Sequence, residues 1–586
     1  MRDRLLVRHF LWRFVEHDLI SPTADRHEIF AITAGTIVTV NLFLSVVIAA
    51  QYQMDNFLPP GLVAMRSLDD RFLLFSVTML VAALVAVAQW DALALDARDT
   101  AVLGVLPIPK SVIVRTKLSA TAFLGLAVVV GSILPSTVLR LAAIPIGLPV
   151  GMRGALWLTL SHGVCALAAG SFGFFAVLGL RETTVALVGA RRFRRVSPVM
   201  QGALVVVLLT ALLLVPGQSR QVAQRWLAVG DGAARAIPVF WFLGLHEAMA
   251  GAVFDNLPRV EPDRFLVIPE RLATSLYRGL WPLFHELART AGIALVVLVA
   301  VVTLACLWNN RQLPIAAGDT DRCGGAVRRG LRWVAIHAFA RTALQQAGFF
   351  FALQTLSRRA SHRIPMAAAL AVGLSFVVIA GGGGRPAGTG GDPIPPSVLI
   401  AQSLLIGTVL TGFRHTMRLP ADLKASSGFS LAWTGPVAPY VSGIRRAGWI
   451  AVVCPSLAVI AIWHVAILGA RFALLHGLVG LALSAILMKA LFLHTSRVPL
   501  VSAHLPDVDS KSHAIIYSVA LLIASVLVAG IERWALDAPE RLVAFLATLV
   551  ALGRCLTILD RGSVAVAPPM LEEQPSLPTQ RLNLAG

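Results

Sequence analysis

Charged side chains are scarce in this sequence. Only 14% of its 586 residues are Asp, Glu, Lys or Arg, while 57% are hydrophobic, whereas water-soluble domains run at about one quarter charged. A water-facing surface cannot be assembled from that stock, which excludes a string of soluble domains. Cysteines are few as well. Cys165, Cys306, Cys323, Cys454 and Cys555 are scattered, without the spacing of a disulfide framework or a zinc site, and read as packing residues. Hydrolytic and nucleotide-binding signatures are missing. There is no G-x-x-x-x-G-K-[ST] loop and no G-x-S-x-G elbow. None of the pairs His27-Glu28, His246-Glu247 and His285-Glu286 has the second histidine one turn on that a zinc protease needs, so they read as interfacial polar residues. The run Gly381 to Gly384 lacks a lysine and reads as a loop rather than a phosphate cradle. No catalytic residue, metal or cofactor is expected in this chain.

What the sequence does hold is long apolar runs, each able to cross a hydrocarbon core of about 30 Å. They place spans at 29–50, 72–90, 118–137, 154–180, 197–216, 289–308, 364–381, 397–413, 447–468, 472–493, 514–531 and 542–559. The first begins near Ile29, after a charged leader, and reads as a signal anchor rather than a cleaved signal peptide. The net charge of +19 lies between the apolar runs, as the positive-inside rule requires, and so implies no nucleic-acid partner. Arg2, Arg4, Arg8 and Arg13, the cluster Arg191, Arg192, Arg194 and Arg195, and the nine arginines of 309–363 fall on one side. The expected fold is an all-α polytopic transmembrane helical bundle of twelve spans in two six-helix halves, with both termini cytoplasmic. Its divisions are a first membrane bundle at 1–308, with an amphipathic leader and a long outer loop at 217–288, and a basic cytoplasmic linker at 309–363. A second bundle follows at 364–559, then a disordered cytoplasmic tail at 560–586. Absent disulfides and arginine in place of lysine fit a bacterial inner membrane.

The two halves repeat a pattern. In each, an amphipathic, arginine-bearing stretch (5–19 and roughly 333–361) precedes the spans, and the second span runs into a leucine-proline pair, Leu106-Pro107 or Leu419-Pro420. On 5–19, Leu5, Leu6, Phe10, Leu11, Phe14 and Val15 can share one helical face while Arg4, Arg8 and Arg13 lie towards headgroups. The centres of the expected spans hold essentially no carboxylate, which argues against an ion-driven carrier. Lys489 and Arg554 sit where they can snorkel, and His162, His464 and His476 read as helix-packing residues. Asp69 and Asp70 end the first outer loop, where an enzyme acting on a lipid-linked substrate would carry an acid or base.

The segment after the second span is the most informative: Asp91, Asp96, Arg98 and Asp99, then Leu103, Leu106, Pro107, Ile108, Pro109 and Lys110, then Arg115 and Lys117. It resembles the permease subunits of ABC transporters of the type-2 exporter class, in which an acidic start, a leucine-rich turn, a Leu-Pro step and a basic pair lead into the third span. The resemblance implies a coupling helix docking on a separate ATP-binding subunit, with Asp96, Arg98, Asp99, Leu106, Pro107, Ile108, Lys110 and Lys117 at the contact. Arg418, Leu419, Pro420 and Asp422 are the corresponding residues of the second half. It also implies re-entrant helices in the outer connection before span six, where the apolar run 237–247 carries Pro238, Trp241, Phe242 and Glu247. Burial of that run against the spans is the other reading.

Together these residues lead to an expected function. The chain is read as the permease subunit of an ATP-driven transporter of an unidentified substrate, not itself an enzyme, working among membrane lipids. Its partner is a separate cytoplasmic ATPase, and one chain supplies both six-span halves that two chains would otherwise provide. The alternatives are a membrane-embedded enzyme acting on a lipid-linked substrate, with Asp69 or Asp70 in the chemistry, and a non-catalytic membrane scaffold.

Overall fold

An apolar segment in hydrocarbon must satisfy every backbone N–H and C=O within itself, and helices do so. The computed structural model describes residues 2–15, 41–50, 60–90, 108–147, 151–218, 232–255, 267–311, 341–382, 395–421, 433, 436–493, 495, 498–501 and 510–564, and helix is the regular structure among them. Eleven of the described helices are long and apolar enough to cross a membrane. Of the expected span 29–50, only the helix Asn41–Ala50 (α2) is described. The chain divides into two compact units, Met1–Asp319 and Thr320–Gly586.

The first unit comprises α1 (Arg2–Val15), α2, α3 (Pro60–Ala88), α4 (Lys110–Gly147), α5 (Gly151–Val188), α6 (Ala190–Gln218), α7 (Gly232–Ala236), α8 (Pro238–Asp255), α9 (Val267–Gly279) and α10 (Trp281–Arg311). Its centre is α3, against which α4, α5, α6, α8 and α9 all pack. Phe75, Ala82, Ala86 and Val87 of α3 are fully buried. On α5, Gly170 lies so close to Val129 of α4, and Gly173 to the Met79 carbonyl of α3, that a Cβ would collide. Asp69 and Asp70 therefore lie inside a helix and not on a loop. Pro60, at the first helical position, opens it twelve residues before the apolar window does.

The second unit comprises α11 (Ala343–Arg358), α12 (Ala360–Gly382), α13 (Pro396–Arg418), α14 (Val437–Gly448), a π-helical turn (Trp449–Val453), α15 (Cys454–Leu468), α16 (Ala470–Leu491), α17 (Ser510–Leu536) and α18 (Pro539–Val564). Here α13 is central, with α12, α15, α16 and α17 around it. The π turn has a local cause. Pro455 has no N–H to give the carbonyl of Ala451, and the Cys454 N–H bonds the Trp449 carbonyl five residues back, so the helix widens by a residue instead of breaking. The outer loop expected at 532–541 shrinks to a two-residue link, because α17 continues to Leu536 and α18 starts at Pro539.

The units share a plan. In each, the central helix precedes the leucine-proline pair, and the amphipathic helix packs on the helix that follows that pair: α1 on α4, α11 on α14. On α1, Leu6 and Phe10 are buried and Arg4 and Arg8 exposed, as the face predicts. Leu5, expected on that face, is 59% exposed, because the stripe touching α4 follows the i, i+4 row of Leu6 and Phe10 and Leu5 lies a step round the helix. Between α11 and α14 the backbones nearly touch. A Cβ on Gly348 would run into the Tyr440 carbonyl, and one on Gly443 into that of Gln345.

Neither carbonyl can retreat without moving its helix, so Gly348→Ala or Gly443→Ala should lower stability in detergent by about 1–3 kcal/mol. Gly292→Ala, where a Cβ meets nothing, should leave it unchanged or raise it. Equal thermal midpoints for all three variants would contradict the packing.

Candidate functional sites

The helices of each unit bring polar side chains together at one end of the central helix, and in the first unit the group is closed. Arg71 of α3 forms an ion pair with Glu247 of α8 and donates to Ser67 Oγ one turn back. Both charged side chains are almost fully buried. Tyr277 of α9 donates its hydroxyl to Glu247 Oε2 at 2.5 Å, and His246 Nδ1 lies 3.1 Å from Glu247 Oε1. Burial raises the Glu247 carboxyl, yet Arg71 and the hydrogen bonds from His246 and Tyr277 hold it down at about 2. Burial and the Arg71 charge keep the His246 imidazole at about 4. At neutral pH the carboxylate is ionised and the imidazole is neutral. Beside them Arg140 of α4 meets His162 of α5 at 2.9 Å, His162 Nε2 meets Ser136 Oγ at 3.2 Å, and Phe75 stacks on the His162 ring. His162 is thus a satisfied packing histidine.

Of the residues expected in a re-entrant element, Pro238 opens α8, and Phe242 is buried. Trp241 donates to the Arg235 carbonyl at 2.7 Å and meets the Phe172 ring. Glu247 joins the ion pair. The helix reaches Asp255 rather than ending at 247 and packs on α3, α5 and α10.

A different arrangement occupies the second unit. Gln402 of α13, His464 of α15, His476 of α16 and Glu532 of α17 come together, each no more than 1% exposed. His476 Nδ1 is 2.5 Å from Glu532 Oε1, Gln402 Nε2 donates to the His476 carbonyl at 2.8 Å, and the two imidazole centroids are 4.6 Å apart. His464 and His476 were expected as packing residues, and among the described residues neither Nε2 atom has a hydrogen-bond partner, in contrast to His162. Glu532, assigned from the sequence to an outer loop, is their carboxylate. Among the described residues no three His, Cys, Asp or Glu side chains are placed to hold a metal ion.

At the opposite end of α3 the structure shows what holds the segment expected to couple. Asp96, Arg98, Asp99, Leu106 and Pro107 lie outside the described residues, as does Asp422; of Lys110 only the backbone, opening α4, is described. Both flanks of 91–107 are fixed. Before it, Trp90 is fully buried and donates to Ser197 Oγ at 2.8 Å, and Gln201 donates to the Val87 carbonyl at 3.0 Å. Arg181 lies over the Trp90 and Phe193 rings and pairs with Glu182, which accepts from Asn309 at 2.8 Å. After it comes half-buried Ile108, and then Lys117, buried with its Nζ 4.8 Å from the centroid of Phe10.

The second leucine-proline pair is also fixed. His362 Nε2 donates to the Leu419 carbonyl at 3.1 Å, and the Ala421 N–H to the Leu500 carbonyl at 2.8 Å. The Leu500 N–H in turn reaches the Met417 carbonyl at 2.9 Å. Leu500 holds a left-handed backbone, φ 66°, at a cost of order 1–3 kcal/mol. Arg418, exposed, and Pro420, half-buried, flank this corner. No protein-family model matches the sequence, and no curated protein or solved structure is detectably similar to it.

The pair Arg71–Glu247 can be dissected by a double-mutant cycle. Arg71→Met or Glu247→Met alone leaves the other charge buried and should cost about 3–5 kcal/mol, whereas the double variant should recover most of that loss. Additive losses in thermal unfolding would show that the two charges are independent.

Proposed function

We propose that this chain is the membrane-spanning permease of an ATP-driven transporter of the ABC type, both halves supplied by one polypeptide and ATP hydrolysed on a separate subunit. One observation carries the reading. The segment that resembles the family's coupling element runs between two rigid attachments, the Trp90 group on α3 and the Phe10–Lys117 contact joining α1 to α4. A force applied to residues 91–107 is therefore delivered to the central helix of the bundle and to its amphipathic helix together. The second unit supports the reading by repeating the layout, with α13, Leu419-Pro420 and the α11–α14 pair in the same order.

Asp69 and Asp70 sit within α3 among arginines, with Arg140, Arg66 and Arg71 around Asp70. Both aspartates are carried by a helix that packs inside the bundle, not by the outer loop on which such an enzyme would present its acid or base, so the lipid-linked enzyme is the weaker reading. The test is affinity capture of the full chain in mild detergent. An ATP-hydrolysing polypeptide should co-purify, and Leu106→Asp should reduce its recovery at least about tenfold, equivalent to about 1.4 kcal/mol of binding. Asp69→Asn with Asp70→Asn should leave it bound. Failure to recover any ATPase, together with loss of cellular function in the double Asn variant, would favour the enzyme instead.

A further inference from the structure

Two buried carboxylates in this protein are neutralised by different chemistry. Glu247 faces Arg71, whose guanidinium keeps its proton at any physiological pH, so that pair holds a fixed charge balance. Glu532 is as deeply buried, but among the described residues its ion-pair partner is an imidazole, His476. An imidazole, unlike a guanidinium, can be held either with or without its second proton. With one proton on the pair its net charge is zero, either as carboxylic acid and neutral imidazole or as carboxylate and imidazolium. Without that proton a bare carboxylate remains in an apolar bundle, at a cost of several kcal/mol.

The surroundings offer no substitute for the proton. The helices packed around the pair contribute Gln402 from α13, His464 from α15 and Ser403, also buried, from α13. Arg471 at the start of α16, Arg533 on α17, Asp537 in the link after it, and Glu540 and Arg541 at the start of α18 are all exposed, with Arg541 over the Trp534 ring. Arg414, His415 and Arg418 of α13 and Lys489 of α16 belong to the far ends of their helices, and Lys489 is bonded to Gly553 and Thr557. Among the described residues, four polar atoms of the group, Gln402 Oε1, His464 Nε2, His476 Nε2 and Glu532 Oε2, have no hydrogen-bond partner. Each unmatched polar atom at such depth calls for an explanation, and here two of the four are imidazole nitrogens and one is a carboxylate oxygen, groups that can take up or give up a proton.

We propose that the second unit binds one exchangeable proton on the His476–Glu532 pair, with His464 as the neighbouring imidazole through which it is passed. The transfer is balanced: a proton bonds to a ring nitrogen of neutral His464, a proton leaves that imidazolium to a ring nitrogen of His476, and the pair shares it with Glu532. The reverse sequence releases it. Such a site goes beyond the proposed transporter reading and does not depend on it; it makes the packing of α13, α15, α16 and α17 responsive to protons, which the Arg71–Glu247 pair of the first unit cannot do.

The test is a pH titration of the full chain in detergent, read by infrared spectroscopy of protonated carboxyls and by ¹⁵N-histidine NMR. The wild type should lose either a carboxylic-acid band or an imidazolium signal as pH rises. That transition should vanish in Glu532→Gln, persist in Glu247→Gln, and persist in His464→Phe with hydrogen–deuterium exchange slowed at least about tenfold. Should Glu532→Gln not be recovered folded, the wild-type titration and His464→Phe decide the matter. A wild type without any such transition overturns the proposal, as does a transition shared unchanged by Glu532→Gln. Stoichiometric zinc that co-purifies with the wild type and is lost with Glu532→Gln would also overturn it, making the group a metal site.

Discussion

A charge inside an apolar helical bundle has to be neutralised on the spot, and Arg71 with Glu247 meets that requirement for the first unit. Their pairing explains why α3 begins at Pro60, well before its continuous apolar stretch. It also explains why α8 and α9, which contribute Glu247 and Tyr277, lie against α3 instead of extending away from it. Water cannot compete for these groups at such burial, so the attraction is strong and an unpaired member is correspondingly costly. The second unit meets the same requirement at Glu532 with a histidine. That exchange of a permanent cation for a titratable one is the main chemical difference between two units of like plan.

The plan has mechanical content. Each unit surrounds one nearly buried helix with others whose outward faces remain apolar, as lipid contact requires: Leu134, Val207, Val296 and Ile462 are among many large apolar side chains left exposed. An amphipathic helix then packs on the helix that follows each leucine-proline pair. Close backbone contact at Gly348 and Gly443 makes the α11–α14 pair a stiff unit, and Phe10 with Lys117 ties α1 to α4. Rigid joints at these places turn a local push into movement of a whole helix, which is what an ATPase outside the membrane would need.

Much of the architecture was legible in the sequence. Apolar runs locate the spans, and the phase of Leu6 and Phe10 picks out the buried face of the leader. Helix ends were not legible, for a physical reason. A hydropathy window stops at a charge, and whether that charge is tolerated depends on a partner far along the chain: Glu247 is 176 residues from Arg71, and Glu532 is 56 from His476. Asp69, Asp70 and Glu532 were accordingly assigned to loops, and the carboxylates of the spans went unseen. One local signal pointed the other way. Ala529, Glu532 and Ala535 keep a helical i, i+3 phase through the charge, and all three are buried. His464 and His476 were visible as histidines in apolar runs, but that they share a carboxylate follows only from the packing of α15, α16 and α17.

Each unit places a leucine-proline pair after its central helix, and the proposed permease requires both pairs to face the cytoplasm. Cysteine accessibility in intact cells tests this most directly, with a membrane-impermeant thiol reagent applied to chains whose own cysteines are replaced and which carry Gly104→Cys, Lys424→Cys or Ala387→Cys. The account predicts that only Ala387→Cys is labelled from outside, while the other two react once the membrane is opened. Labelling of Gly104→Cys and Lys424→Cys from opposite faces would contradict it.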